Sequence, residues 1–329
     1  MYAHKTGEII IHDGNKHLWD APKVEGETKK KGLIPRNYEK HPVGSLKGIV
    51  SAVQMPTIPR DQWAGIVAHK AQARTRLSDQ RNRGNKGKTI PSRDQNGRGY
   101  CWNHSPVSAH LLHRAKLGLP YVDLSAYAGA CIIKNFRDQG GWGAHGLEWM
   151  VEHGCPTSKT WPQQGTSRNL VNDAMWKEAA RYKVTGVIAD LQAAVYDRNL
   201  SWDQQVTCLL NNWPTIIDLN WWGHSIAGAD VENGVNLFDQ GVRGDSGKLA
   251  TAQEWDVVWE YNTDFGEYGG FGVRIWNSWG DKWSQNGMGI LTPQKSVADG
   301  CTAIIDATPS EEESVVAMLE GKETPNLAV

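Results

Sequence analysis

Among 329 residues, five cysteines stand at positions 101, 131, 155, 208 and 301, and one of them has surroundings suited to covalent chemistry. Cys101 lies in the run Asp94-Gln95-Asn96-Gly97-Arg98-Gly99-Tyr100-Cys101-Trp102, just ahead of a helical apolar pattern. A thiol at a helix start faces unsatisfied N–H groups and the positive end of the dipole, and both favour the thiolate. A thiolate nucleophile also needs a base, a group that fixes the base's tautomer, and donors for the oxyanion. Asp218 and Asp264 are carboxylates that could hold such a base, with nothing in the sequence to favour them. A buried, inert cysteine is the commoner meaning of a Cys before a helix, so the assignment rests on the combination.

These residues need elements to hold them. Pro59 suits a first helical position, and Trp63, Ile66, Val67 and Ala71 recur at helical spacing through Arg76. Val107–Leu117 and Leu147–His153 read as helices, the second stopped by Gly154 and Pro156. Ser201 with Gln204 has a capping-box pattern ahead of Val206, Leu209 and Leu210. β-Branched runs at Val184–Ile188, Thr215–Leu219 and Gly272–Trp276 read as strands. Helices gather in the first half and strands in the second, an α+β pattern. Residues 1–76 read as an irregular arm with one short strand-like run at Glu8–His12 and one amphipathic helix. Residues 77–308 form the main domain, and 309–329 an acidic tail.

The ordered set resembles the papain-like cysteine peptidases. In that family, a Gln ahead of the Cys-Trp pair completes the oxyanion hole with the Cys backbone N–H, the part that falls here to Gln95, Cys101 and Trp102. Gln139-Gly140-Gly141-Trp142 resembles the strip whose backbone pairs with the substrate peptide. The His224 segment is similar to the one that presents the catalytic His at a strand start. Asn277-Ser278-Trp279-Gly280, with Trp283 and Asn286-Gly287 behind it, is similar to the signature in which Asn holds the His and Trp shields their hydrogen bond. The resemblance covers roughly residues 77–308. It implies a two-lobe fold, a helical lobe and an antiparallel sheet or barrel lobe, with the cleft between. It implies peptide-bond hydrolysis by Cys101, His224, Asn277 and Gln95, through a resting thiolate–imidazolium pair. Gly140, Gly141, Trp142, Gly223 and Trp279 would line the substrate site, with Trp142, Gly143, Trp222 and Ser225 bordering the main specificity pocket. No cofactor and no metal is implied.

Four departures from the family qualify this picture. Family members carry a disulfide from three residues before the nucleophile to a point just before the Gly-Gly strip. Arg98 and Asp138 occupy those places here, either as an ion pair in its stead or as unrelated surface residues. Cys301 stands at a late disulfide position whose partner place holds Asp218, so a reduced, buried thiol is expected there, and likewise at Cys131, Cys155 and Cys208. Pro106, five residues after Cys101, points to a helix that begins late, near Ser105. The interval from His224 to Asn277 is long, with an acidic, Gly-rich insertion at about 230–270 that would lie near the primed side of the cleft.

Composition narrows the function classes. The formal net charge of -1 disfavours general nucleic-acid binding, but residues 1–76 carry thirteen Lys or Arg against seven acidic residues. Residues 225–270 carry nine acidic residues against Arg243 and Lys248, so the two segments are complementary. The sequence lacks an apolar run long enough to span a bilayer and a signal-peptide pattern at Met1–Asp13. Sparse cysteines without a CxxC pair favour a reducing compartment, cytoplasmic or complex-associated. His104, His110 and His113 follow Cys101 but lack HExxH spacing and an acidic ligand. Two rivals to a peptidase remain. One is an amidase or cell-wall peptide hydrolase with the same triad. The other is an assembly component, for example of a virus particle, whose arm and tail dock on other subunits. The arm has a third reading, a short inhibitory pro-segment.

Overall fold

The computed structural model describes residues 2–15, 30–42, 50–51, 55–189, 198–244, 246–259 and 270–307. Asp264, the acidic tail and part of the 230–270 insertion lie outside the described residues. The fold is the expected α+β mixture. Among the described residues ten strands form one sheet: β1 (Ala3–His4), β2 (Ile9–Ile11), β3 (Val50–Ser51), β4 (Val184–Ala189), β5 (Thr215–Leu219), β6 (His224–Asn233), β7 (Val242–Arg243), β8 (Phe271–Trp276), β9 (Met288–Leu291) and β10 (Gly300–Ala307). Their order is β3-β4-β10-β5-β6-β8-β9-β2-β1-β7.

The sheet is not wholly antiparallel. The pairs β2–β9 and β3–β4 are parallel, and both parallel partners come from the first 51 residues. A strand delivered from far along the chain has no hairpin to fix its direction, so the antiparallel rule of neighbouring strands does not bind it. The arm is thus more structured than its composition suggests: two of its strands extend one edge of the sheet and a third extends the other.

Helices cover both faces. They are α1 (Arg60–Ala73), α2 (Leu77–Arg83), α3 (Cys101–Lys116), α4 (Ala126–Ile133), α5 (Gly143–His153), α6 (Asp173–Ala179), α7 (Arg198–Leu210), α8 (Gly234–Gln240), α9 (Ala252–Trp259) and α10 (Pro293–Ser296). Period-two alternation separates the two cores. Ile216, Ala227 and Trp276 face the core beneath α3, α4 and α5, while their neighbours Ile217, Ile226 and Ile275 face the core under α1 and α7. The insertion builds a third, small core in which Trp255 and Trp259 pack on Ile10 and Ile290.

Three helix starts differ from expectation, and α5 begins at Gly143, four residues before Leu147. α3 begins at Cys101, not near Ser105, with Pro106 inside it. The Tyr100 carbonyl accepts from both Asn103 N and His104 N and closes the first turn. Pro106 costs only the bond to the Trp102 carbonyl, and its fixed φ is already helical. α7 begins at Arg198, so Ser201 lies inside the helix and is no N-cap.

Candidate active site

α3 runs from the cleft into the core with Cys101 at its first position, and Cys101 is fully buried. One turn on, Ser105 Oγ meets Ser225 Oγ at 2.7 Å, which locks α3 across the start of β6. The Ser225, Gly32 and Trp102 backbones hydrogen-bond the Cys101 thiol. Ser225 is covalently next to His224, the first residue of β6, so β6 starts beside the Cys101 thiol.

His224 Nε2 lies 2.8 Å from Asn277 Oδ1. The same Oδ1 accepts from the Ser278 backbone N at 2.7 Å, which identifies it as the oxygen. Nε2 must then be the donor, and the lone pair of the neutral ring is left on Nδ1. Trp279 covers this pair, its ring 4.8 Å from the imidazole, and Trp222 lies 5.0 Å from it on another side. Trp283 closes the cluster, 6.0 Å from Trp279 and 6.4 Å from Trp222. Trp222 was expected at the specificity pocket; it belongs instead to this water-excluding cover.

Gln95 is fully buried, and Ser278 Oγ donates to its Oε1 at 2.6 Å. That bond turns Nε2 toward the cleft, where it donates to the Lys30 and Arg98 carbonyls, each at 2.6 Å. The role of Ser278 was not read from the sequence, although its place between Asn277 and Trp279 was the available signal.

Lys30 belongs to the arm, and the arm crosses the cleft. Gly141 N donates to Gly32 O at 2.9 Å, and Ile34 N to Gly141 O at 3.0 Å, a parallel bridge. Leu33 N donates to Gly223 O at 3.2 Å. Arg36 lies over the Trp142 ring at 5.3 Å, and His41 packs on the same ring at 4.6 Å. The fit is close: a Cβ at Gly32 would collide with the Gly99 carbonyl, and one at Gly140 with the Gly32 carbonyl. Gly140, Gly141, Trp142 and Gly223, all expected to face substrate, therefore face Gly32–His41 instead. Nothing in the polar composition of residues 1–58 signals this placement.

Burial decides the state of the thiol. It pushes Cys101 up to about 12, and the negative charge of Asp218 adds to it, against the backbone hydrogen bonds that favour the thiolate. With the arm in place, burial thus favours the neutral thiol over the thiolate. Beside the arm lies a small pocket whose lining includes Arg36, Tyr38, Ile216 and Asp218. Asp218 is buried and accepts from Gly143 N at 3.0 and 3.2 Å.

Arg98 and Asp138 do face each other, but loosely, at 3.9 Å. Asp138 is held more closely by Lys30 Nζ at 2.5 Å and Gly99 N at 2.8 Å. A half-exposed pair of this kind contributes about 0–1 kcal/mol. All five cysteines are buried and none is disulfide-bonded. His104, His110 and His113 are buried in α3, and burial holds His104 and His113 down to about 3. Among the described residues no group of three or more His, Cys, Asp or Glu side chains is gathered to hold a metal, and no helix is long and apolar enough to cross a membrane.

No protein-family model and no curated protein matches this sequence. The chain is similar to solved structures of cysteine proteases. Xylellain, a cysteine protease from Xylella fastidiosa, is 15% identical with a TM-score of 0.49, over 86% of this chain and 98% of that one. Digestive procathepsin L 3 of Tenebrio molitor larval midgut is 13% identical with a TM-score of 0.44, over 66% of each chain. The ragweed pollen cysteine protease Amb a 11, in its proform, is 13% identical with a TM-score of 0.45, over 80% of this chain and 72% of that one. At these values the functional reading rests on the geometry of this chain.

Proposed function

We propose that the chain is a papain-like cysteine peptidase with Cys101 as nucleophile, His224 as base, Asn277 as orienter and Gln95 in the oxyanion hole. The observation that carries this reading is the His224 Nε2–Asn277 Oδ1 bond of 2.8 Å beneath Trp279, one residue from the Ser225 backbone that bonds the Cys101 thiol. In the reaction, His224 Nδ1 takes the thiol proton and Cys101 Sγ adds to the substrate carbonyl. The oxyanion is received by Gln95 Nε2 and the Cys101 backbone N–H. The C–N bond breaks as His224 returns the proton to the leaving amine. His224 then deprotonates a water that hydrolyses the thioester.

The same contacts favour a latent resting form. Lys30 O sits on the Gln95 donor and Gly32 O on Gly141, so the arm uses the groups a peptide substrate needs. Cleavage of peptides then requires the arm to leave the cleft.

The test uses the full chain and its Gly32→Ala variant with a peptidyl thiol-reactive probe, followed by a peptide library. Labelling of Cys101, stronger in Gly32→Ala and absent in Cys101→Ala, is the expected result. Turnover that survives Cys101→Ala in a folded protein would falsify the assignment. Library cleavage of peptide bonds, as opposed to side-chain amides or cross-linked cell-wall peptides, separates a peptidase from an amidase.

A further inference from the structure

The docked arm carries a side chain beside the proposed oxyanion donor. Gln95 Nε2 donates to the Lys30 carbonyl at 2.6 Å. On the peptidase reading that oxygen stands in for the carbonyl oxygen of the bond to be cut. From the same residue the Lys30 ammonium reaches Asp138 Oδ2 at 2.5 Å. One residue of the arm thus supplies both a carbonyl to Gln95 and a cation to Asp138.

The backbone around Asp138 fixes it at this point. Its other oxygen, Oδ1, accepts from Gly99 N at 2.8 Å, which ties the carboxylate to the Arg98–Gly99 segment. The Arg98 carbonyl accepts from Gln95 Nε2 at 2.6 Å, and Cys101 is two residues beyond Gly99. In the other direction, Asp138 is two residues ahead of Gly140 and three ahead of Gly141. Gly141 pairs with the arm backbone at Gly32 and Ile34. Asp138 therefore stands between the backbone that pairs with an extended peptide and the amide that receives its carbonyl. A peptide held by both passes Asp138 with the residue that owns the carbonyl.

The carboxylate is also within reach of solvent. Its side chain is 21% exposed with the arm docked, and the Lys30 side chain that covers it is 47% exposed. Arg98 Nη1 lies 3.9 Å from Oδ2, beyond hydrogen-bond reach, so it does not replace Lys30. When the arm leaves, Oδ2 loses the Lys30 bond and opens to a new donor.

We infer, resting on the peptidase reading, that Asp138 selects Lys or Arg as the residue that supplies the scissile carbonyl. Cleavage then falls after a basic residue. Asp138 takes no part in the bond-making steps. It does not line the Asp218 pocket, so the two carboxylates would act on different residues of a substrate.

The experiment uses the full chain carrying Gly32→Ala, with the arm unseated, and a pool of peptides that differ only in the residue before one cleavable bond. Bonds after Lys or Arg should be cut about fivefold faster than bonds after Gln or Leu, as for one partly exposed ion pair. Asp138→Asn, which keeps an acceptor for Gly99 N, should erase that difference and leave the rates after Gln and Leu little changed. Arg98→Gln, which removes the competing cation, should widen it about twofold. If Asp138→Asn does not fold, Arg98→Gln decides the matter. A preference that survives Asp138→Asn, or cleavage indifferent to the residue before the bond, overturns this inference and leaves the peptidase reading standing. No cleavage of any peptide, with Cys101 unlabelled by the thiol-reactive probe, overturns the peptidase reading and this inference with it.

Discussion

At the scale of single residues, Asp218 has the largest unexplored consequence. It is a buried carboxylate that accepts from Gly143 N, in a small pocket partly lined by Arg36 of the arm. On the proposed peptidase reading, a carboxylate there would favour a basic substrate side chain over a neutral one. Asp218→Asn, which keeps an acceptor for Gly143, should lower the preference for Lys or Arg by about tenfold, as for one charge-assisted bond. Competing peptide pools that differ at one position would measure it, and an unchanged preference would remove Asp218 from specificity. Asn277→Ala tests the orienter. Loss of the bond to Nε2 lets the imidazole turn, and a misplaced group costs on the order of 10²-fold in rate. The expected signature is a fall in kcat with KM little changed.

At the scale of elements, the arm segment from Lys30 to Pro42 and the start of α3 define the resting state. Gly32 fits against Gly99 only because it has no Cβ. Gly32→Ala should unseat the segment without touching either large core. Released from burial, Cys101 should titrate well below about 12, toward the range that a helix start favours. The pH dependence of iodoacetamide alkylation reads this directly. Equal profiles in the variant and the parent would show that the arm does not control the thiol. Pro106 teaches a related lesson. A proline five residues into a pattern suggested a later helix start, but a helix loses only one hydrogen bond to it, and packing of α3 against β6 outweighs that loss.

At the scale of the whole molecule, acid should loosen the N-terminal docking. Burial lowers His4 to about 4 from an ordinary value near 6.5, so it docks neutral. The unfolded segment binds the proton first, and stability falls as pH drops through that window. Glu8 is raised by burial but lowered more by Arg274, Thr6 and His4 together, which leaves it below its ordinary value, so its contribution is present above the ordinary carboxylate pKa and lost at lower pH. Asp138, which holds Lys30, is also depressed and acts in the same direction. The buried histidines of α3 add to the loss further down. The hydrogen-exchange protection of residues 3–11 and 30–34 should therefore fall between about pH 6.5 and 4, before that of the sheet centre. Uniform protection down to pH 4 would contradict this order of events.

The sequence by itself determined the chemical inventory and the main elements. Cys101, Gln95, His224 and Asn277 were singled out as candidates by the chain order of the segments that hold them. The strands β4, β5 and β8 and the helices α1, α3 and α5 could be read because a half-buried element imposes its period on the residues. Pairing across long stretches of chain leaves no such local mark. Only the tertiary structure decided that the arm adds parallel strands to both sides of the sheet, that Trp222 covers His224, and that Ser278 aims Gln95. It alone brought Lys30 to the Gln95 donor and Gly32 to the Cys101 thiol, since glycines and carbonyl oxygens look alike anywhere in a sequence until the fold sets them against a partner.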